Sequence, residues 1–388
     1  MTKRRRDAVL GAAVAMAVAG LLGLGVRRLG GKPGPALPAA SVTEPPSPGG
    51  PAPDPVLAVG TPPALAAATS ARRRARPRAV PTSLAGKAAS DYRERARLPR
   101  WTQPLRADEA DPIAREREVT PISAAGPQGA EPLLTVFPAS VSFEVPDPVI
   151  VYAYLSIAGT PAPAQEIRGT VLTETLAPLG EFTYLDDGMP PDLQAGDGIG
   201  SAEIVLPSEA LPDLSASYLV KVRALTMDGE ERLAAMSFQY ASPHARPTGN
   251  YRDRVVDGSL LVGVEVEVAR AGRFHLEGTL YTDDGQQKIA WAQAAAELPP
   301  GRHWIDLPYY GLVLREGGMD GPYLLRYLAL STTSDMPNAK NRLVENAHVT
   351  AAYRASTFTD VAYDDPDLLD AADRLEATGD VNPLEAGG

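Results

Sequence analysis

Residues 260–268 read Leu-Leu-Val-Gly-Val-Glu-Val-Glu-Val, and this stretch decides the fold class. Every second residue from Leu260 to Val268 is a branched aliphatic residue, while Glu265 and Glu267 lie between them. Successive side chains of a β-strand point to opposite faces of its sheet. The alternation therefore predicts a strand with one face in a core and the other face in contact with solvent.

Short runs of β-branched and aromatic residues, separated by Gly, Pro and Asp, extend over the chain on both sides of this strand. The pairs Asp228-Gly229 and Asp284-Gly285 are typical of tight hairpin turns. About seven strands in roughly 110 residues are expected for an immunoglobulin-like sandwich. We therefore predict an all-β protein with two tandem immunoglobulin-like β-sandwiches, at residues 133–243 and 248–358, joined by a short Pro-containing segment.

The N-terminus is basic and then apolar. Four basic residues at positions 3–6 precede Ala8–Val26, which are nineteen residues without a charge. A helix of that length is about 28 Å long, close to the thickness of a bilayer's hydrocarbon core. Residues 1–28 are predicted to be a transmembrane anchor with a cytoplasmic N-terminus. The alternative is a cleaved signal peptide and a secreted protein, because Arg5-Arg6 and the mildly apolar stretch resemble a twin-arginine signal.

Residues 29–132 have the composition of a disordered linker. They contain nineteen Pro and few aromatic residues, so they bury too little apolar surface to offset the entropy lost on ordering. About 100 residues of flexible chain span roughly 55 Å, enough to hold the sandwiches away from a membrane. The basic stretch at residues 72–78 has two interpretations, a contact with anionic lipid or envelope polymer and a solvated charged segment.

The folded part is strongly acidic. Residues 134–388 contain 37 acidic and 17 basic side chains, a net charge of −20. Because proteins bind duplex nucleic acids largely by neutralising phosphates, this charge argues against a nucleic-acid partner. The chain has no Cys, which excludes disulfides, thiolate metal sites and a lipidated cysteine. The acidic tail at residues 359–388 is predicted to be loose, apart from an amphipathic turn near residues 368–375.

Four carboxylates lie within twelve residues of a Gly-rich segment: Asp186, Asp187, Asp192 and Asp197. Calcium takes about six to eight oxygen ligands, so these residues are a candidate calcium site. Their spacing does not match the EF-hand pattern, and Asp and Gly are also the residues that tight turns need for conformational reasons. The sequence favours a structural turn and leaves calcium as the alternative. No other cofactor is indicated.

Two motifs resemble those of known exported proteins. Residues Leu185–Gly188 with Ala195–Ile199 resemble a loop of immunoglobulin-like domains in exported bacterial proteins, although Gly200 stands where an aromatic residue is usual. Residues Leu314–Leu324 resemble an Arg-Glu…Asp-Gly-Pro-Tyr signature of secreted sandwich modules. Together they are similar to the choice-of-anchor-type surface proteins common in myxobacteria. The resemblance covers about residues 134–358 and implies export and a tandem sandwich fold, but no activity.

Catalytic motifs are absent from the sequence. Its four histidines lack the spacing of metal ligands, and neither G-x-S-x-G nor H-E-x-x-H occurs. We expect a non-catalytic binding or scaffold protein of the bacterial cell envelope, anchored in the inner membrane with its sandwiches outside and an envelope protein or polymer as partner. The alternative is an envelope hydrolase with its site in the groove between the sandwiches, which requires a His within hydrogen-bond reach of both a Ser and a carboxylate.

Overall fold

The computed structural model describes residues 83–334 and 336–378, and β-strands dominate them. The prediction of an all-β protein is confirmed at this level. The predicted anchor at residues 1–28, the linker up to residue 82 and the last ten residues of the tail lie outside the described residues. Among the helices of the described part, none combines the length and the apolar character needed to cross a membrane.

The helices and strands of the described residues follow one another in this order: α1 (Leu84–Ala96), β1 (Thr102–Pro104), α2 (Pro112–Glu116), β2 (Ile122–Ala124), β3 (Leu133–Pro138), β4 (Ser142–Glu144), β5 (Val149–Ile157), β6 (Thr160–Ala162), β7 (Ala164–Leu172), β8 (Pro178–Thr183), β9 (Gly200–Ile204), β10 (Ser215–Thr226), β11 (Glu231–Ala241), β12 (Ala245–Val256), β13 (Ser259–Val268), β14 (Gly272–Thr282), β15 (Lys288–Leu298), β16 (Gly301–Tyr309), α3 (Gly311–Gly317), β17 (Tyr323–Thr332), β18 (Ala339–Lys340), β19 (Val344–Val349) and α4 (Pro366–Thr378).

Two sheets enclose one core in the first β-module, which runs from β2 to β11. One sheet has the order β2-β3-β5-β6, with β9 also paired to β5, and the other has the order β4-β11-β10-β7-β8. On β5, Val149, Val151, Ala153 and Leu155 are fully buried. These residues occupy every second position, so the alternation of the sequence places them between the two sheets.

The second β-module has a larger sheet, β1-β15-β14-β17-β18 with β19 on β17, and a smaller sheet, β12-β13-β16. The stretch that predicts the fold is β13, the central strand of the smaller sheet. Its alternate aliphatic residues from Leu260 to Val268 lie in the core, whereas Glu265 and Glu267 point away from it. The prediction for the two faces of this strand is therefore confirmed.

One element of this module differs from the sequence pattern. The sequence predicts a strand over Trp304–Val313, but β16 ends at Tyr309 and helix α3 follows. Leu312, Val313 and Leu314 are all buried, so this apolar run packs into the core as part of a helix and not as the end of a strand. Gly318 then ends the helix in the left-handed conformation, with φ of 66°. Tertiary burial has decided the local structure here.

A segment that the sequence places in the disordered linker is ordered against both modules. We call residues 97–124 the N-terminal strap. Within it, β1 pairs with β15 of the second module, and β2 pairs with β3 of the first module. Residues 83–132, the described part of the predicted disordered linker, therefore contain helices and strands and not disordered chain. The strands that pair with the strap lie elsewhere in the chain, so the local composition carries no sign of them.

Helices α1 and α4 pack against each other at the two ends of the described chain. Ala89 and Ala96 of α1 and Ala372 of α4 are fully buried. Arg93 donates hydrogen bonds to Asp373 and to Glu376. The amphipathic turn expected near residues 368–375 is part of this longer helix, and the rest of the described tail leads into it.

Asp111 fastens the strap to the second module. It is buried, its Oδ1 accepts hydrogen bonds from the N–H groups of Ile113 and Ala114 at the start of α2, and its Oδ2 accepts one from the Tyr281 hydroxyl at 2.9 Å.

We predict that Asp111→Ala lowers the free energy of unfolding by about 1–3 kcal/mol, because it removes a helix cap and leaves a buried hydroxyl unpaired. Urea denaturation measures this.

The matched control is Asp108→Ala, which changes an exposed carboxylate in the same strap. It should leave the free energy of unfolding within about 0.5 kcal/mol of the parent value. Equal effects of the two substitutions would contradict the role of Asp111.

Candidate functional site

The Asp-rich loop between β8 and β9 brings three of the four candidate ligands together. Carboxylate oxygens of Asp186, Asp192 and Asp197 lie within 4.8 Å of one another. Leu185 and Ser201 exchange backbone hydrogen bonds of 2.9 and 2.8 Å across the base of the loop and close it. These three residues, and not Asp187, are the ones that could hold a metal ion.

The same carboxylates shape the loop through its backbone. Asp186 accepts hydrogen bonds from the N–H groups of Gly196, at 2.6 Å, and Gly198, at 2.9 Å. Asp192 accepts them from Gly188, at 2.5 Å, and Gln194, at 3.2 Å. Gly188, Gly196 and Gly198 all have φ between 70° and 82°, a conformation that other residues rarely adopt. The carboxylates and glycines therefore act together as a turn.

Asp192 is the most buried member of the cluster, with 7% of its surface exposed. The N–H of Gly188 is the main cause that lowers the pKa of its carboxyl below the ordinary value, and the N–H of Gln194 contributes further. Asp192 is therefore ionised at neutral pH. Asp187 lies outside the cluster, and its Oδ1 accepts a hydrogen bond from Met189 at 2.9 Å.

The loop has the hydrogen bonds of a structural turn, which is the interpretation that the sequence favours. Every one of the four Asp side chains accepts a backbone N–H, since Asp197 accepts that of Ile199 at 2.8 Å. The calcium interpretation is supported only by the proximity of three carboxylates. A cation would offset their mutual repulsion, but the turn needs no cation to satisfy its polar groups.

A second polar cluster, around Asp253 and His348, joins the two sheets of the second module. His348 Nε2 lies 2.7 Å from Asp253 Oδ1, the Tyr353 hydroxyl donates to Asp253 Oδ2 at 2.6 Å, and the ring of Tyr251 stacks on His348. Burial of Asp253 acts to raise its pKa, but the hydrogen bonds from Tyr353 and His348 outweigh it and the pKa is lowered. In the sequence, His348 falls on the side of its strand that the alternation of residues assigns to solvent, so the pattern gives no sign of this cluster.

A cavity of about 210 Å³ lies at the joint between the modules. Ser242 and His244 both line it, but the Ser242 hydroxyl donates to the carbonyl of Pro212 at 3.0 Å. Among the hydrogen bonds of residues 83–334 and 336–378, none joins a His to a Ser. The contact that the hydrolase alternative requires is therefore missing from the described residues.

The tyrosines divide between core and surface. Tyr309 and Tyr323 are fully buried, whereas Tyr310 and Tyr327 are half-buried. Of these four neighbouring tyrosines, Tyr309 and Tyr323 therefore serve core packing.

Comparison with known proteins links the second module to a family without an assigned function. Residues 244–345 match the family model described as the C-terminal domain of DUF4785, a domain of unknown function. A search of the curated proteins found no match. What the comparisons support is similarity to DUF4785, and they give no support to the resemblance to choice-of-anchor-type proteins.

Several solved structures are similar to this chain at low identity. A DUF4785 family protein from Legionella pneumophila is 19% identical, with a TM-score of 0.44, over 57% of this chain and 59% of that chain. The match thus spans less than two thirds of the length of the Legionella protein. CopC from Methylosinus trichosporium is 18% identical, with a TM-score of 0.18, over 26% of this chain and 86% of that chain. The E. coli chaperone DraB is 10% identical, with a TM-score of 0.20, over 53% and 93%.

The turn interpretation predicts that calcium does not stabilise the protein. Thermal melting of the full chain should give the same transition in millimolar calcium and in chelator, because the loop is already satisfied by its own N–H groups. Binding at a hundredfold excess over Kd would instead add about 2.7 kcal/mol and raise the melting temperature by several degrees. Such a rise, lost in Asp186→Asn, would establish a calcium site.

The turn also predicts unequal roles for neighbouring carboxylates. Asp192→Ala should lower the melting temperature clearly more than Asp187→Ala, because Asp192 is buried and accepts two backbone hydrogen bonds whereas the exposed Asp187 accepts one. Equal melting temperatures of the two variants would contradict this account of the loop.

The Asp253 cluster predicts a defined pH dependence. Because the pKa of Asp253 is lowered in the folded state, its contribution is present above the unfolded-state pKa of about 3.9 and is lost as pH falls through the folded-state value. Asp253→Asn should therefore be less stable than the parent at pH 7, and the difference should shrink as the pH falls below about 4. Urea denaturation along a pH series measures this, and a difference independent of pH would contradict it.

Proposed function

We propose that this chain is a non-catalytic binding or scaffold protein of the bacterial cell envelope, which presents two immunoglobulin-like β-sandwiches. The strap supports this proposal, because β1 pairs with the second module and β2 pairs with the first. A strap paired with both modules can present their surfaces to a partner in a fixed arrangement. The hydroxyl of Ser242 is engaged by a carbonyl and not by a His, which favours binding over hydrolysis at the joint.

The proposed location rests on the N-terminal sequence. The basic and then apolar residues 1–28 anchor the chain in the inner membrane, and the Pro-rich residues up to 82 act as a tether. Cleavage of residues 1–28 as a signal peptide would release the same body outside the cell. An acidic, self-repelling surface keeps such a body soluble and restricts its partners to those that tolerate or complement negative charge. The partner is an envelope protein or polymer.

Export is tested by the accessibility of the folded part. In spheroplasts of a bacterium that expresses the full chain with a C-terminal epitope, added protease should remove the epitope without lysis. A cytoplasmic marker protein serves as the control and should survive. An epitope that is protected in intact spheroplasts and digested after lysis would refute the proposed location.

A further inference from the structure

The cavity at the joint has walls from both β-modules. It is lined by Pro212, Asp213, Ser242, Pro243, His244, Ala269 and Arg270. Residues 212–213 precede β10 in the first module, and residues 269–270 form the turn between β13 and β14 in the second. The chain passes directly from one module to the other through residues 242–244, so a molecule in this cavity touches both modules and the segment that connects them.

Backbone hydrogen bonds fix the three walls relative to one another. The N–H of Ser242 donates to the carbonyl of Leu214 at 2.7 Å, which holds the first-module wall. The N–H of Ala269 donates to the carbonyl of His244 at 2.7 Å, and the N–H of His244 donates to Thr332 Oγ1 at 3.0 Å. These two hydrogen bonds hold the second-module wall. The backbone of the cavity walls is therefore held in place by the fold.

His244 carries an unsatisfied polar atom at this place. Its Nδ1 is buried and has no hydrogen-bond partner. Buried polar atoms are nearly always paired, because leaving one unpaired costs about 1–3 kcal/mol. The imidazole of His244 thus forms part of the cavity wall, while its Nδ1 is covered by protein atoms and faces no molecule inside the cavity.

Two opposite charges complete the lining. Arg270 and Asp213 are both exposed, and within the described residues neither forms an ion pair. A guanidinium recognises a carboxylate through paired N–H donors, and a carboxylate accepts hydrogen bonds from an ammonium group. The two prolines and Ala269 supply apolar wall between these groups.

We propose that the joint cavity binds a small zwitterion, a free amino acid or dipeptide. Arg270 takes its carboxylate and Asp213 takes its ammonium group, while the imidazole of His244 forms part of the wall beside them. A ligand with only a negative charge would be repelled by Asp213, and a ligand with only a positive charge would be repelled by Arg270. A volume of about 210 Å³ suits a molecule of this size. This proposal rests on the binding function proposed above and names its ligand class.

Isothermal titration of the full chain tests the site with four probes: L-alanine, L-alanyl-L-alanine, acetate and methylammonium. At least one zwitterion should bind saturably, and at least about tenfold more tightly than acetate or methylammonium. Binding should shift the imidazole signals of His244 in NMR spectra and leave those of His303, which lies outside the cavity lining.

Substitutions separate the two charged contacts from general effects. Arg270→Gln and Asp213→Asn should each weaken zwitterion binding at least about tenfold. The matched control is Arg273→Gln, a nearby exposed arginine outside the lining of this cavity, and it should bind as the parent does. Circular dichroism melting confirms that all three variants fold.

Three outcomes overturn the site: no saturable binding of either zwitterion, acetate binding as tightly as the zwitterions, or equal affinity of Arg270→Gln and Arg273→Gln. Each of these leaves the proposed envelope location standing, since protease accessibility tests that separately. Hydrolysis of the dipeptide during the titration would instead refute the non-catalytic function while leaving the cavity as the place where the peptide binds.

Discussion

Hydrogen bonding at the sheet edges is the constraint on which the arrangement of this protein depends. A strand at an edge presents a row of unpaired N–H and C=O groups, which a folded protein must pair or cover. The strap supplies partners to one edge of each module through β1 and β2. The strap thereby ties the modules together, and the joint between them, with its cavity, has a defined shape.

The clearest agreement between sequence and structure lies where burial is local to one strand. In β13 the aliphatic residues alternate with Glu265 and Glu267, and every residue of the aliphatic set lies in the core. Strand β12 has no such pattern, because Arg252 and Arg254 on one face alternate with Tyr251 and Asp253 on the other. Its polar inner residue Asp253 is satisfied by His348 from the opposite sheet, a pairing that no local pattern reveals.

The strap is the main place where amino-acid composition fails to predict the structure. Pro and Arg lower its apolar content, and by that measure it cannot fold alone. It is ordered because its short pieces form hydrogen bonds with distant parts of the chain. The N–H of Leu105 donates to the carbonyl of Ile289, and the hydroxyl of Tyr281 donates to Asp111. The candidate site shows the same limit on a smaller scale. Spacing identifies the Asp-rich loop, but the direction of each side chain, which leaves Asp187 outside the cluster, follows from its backbone hydrogen bonds.

Hydrogen exchange of the full chain, followed by mass spectrometry, tests most directly whether the strap is part of the folded body. The hydrogen bonds of Leu105 N–H to Ile289 and of Gln293 N–H to Trp101 join it to β15. Peptides that cover the strap, residues 97–124, should therefore be protected to a degree comparable with β15. Exchange of the strap at the rate of unstructured chain, while β15 stays protected, would contradict the account.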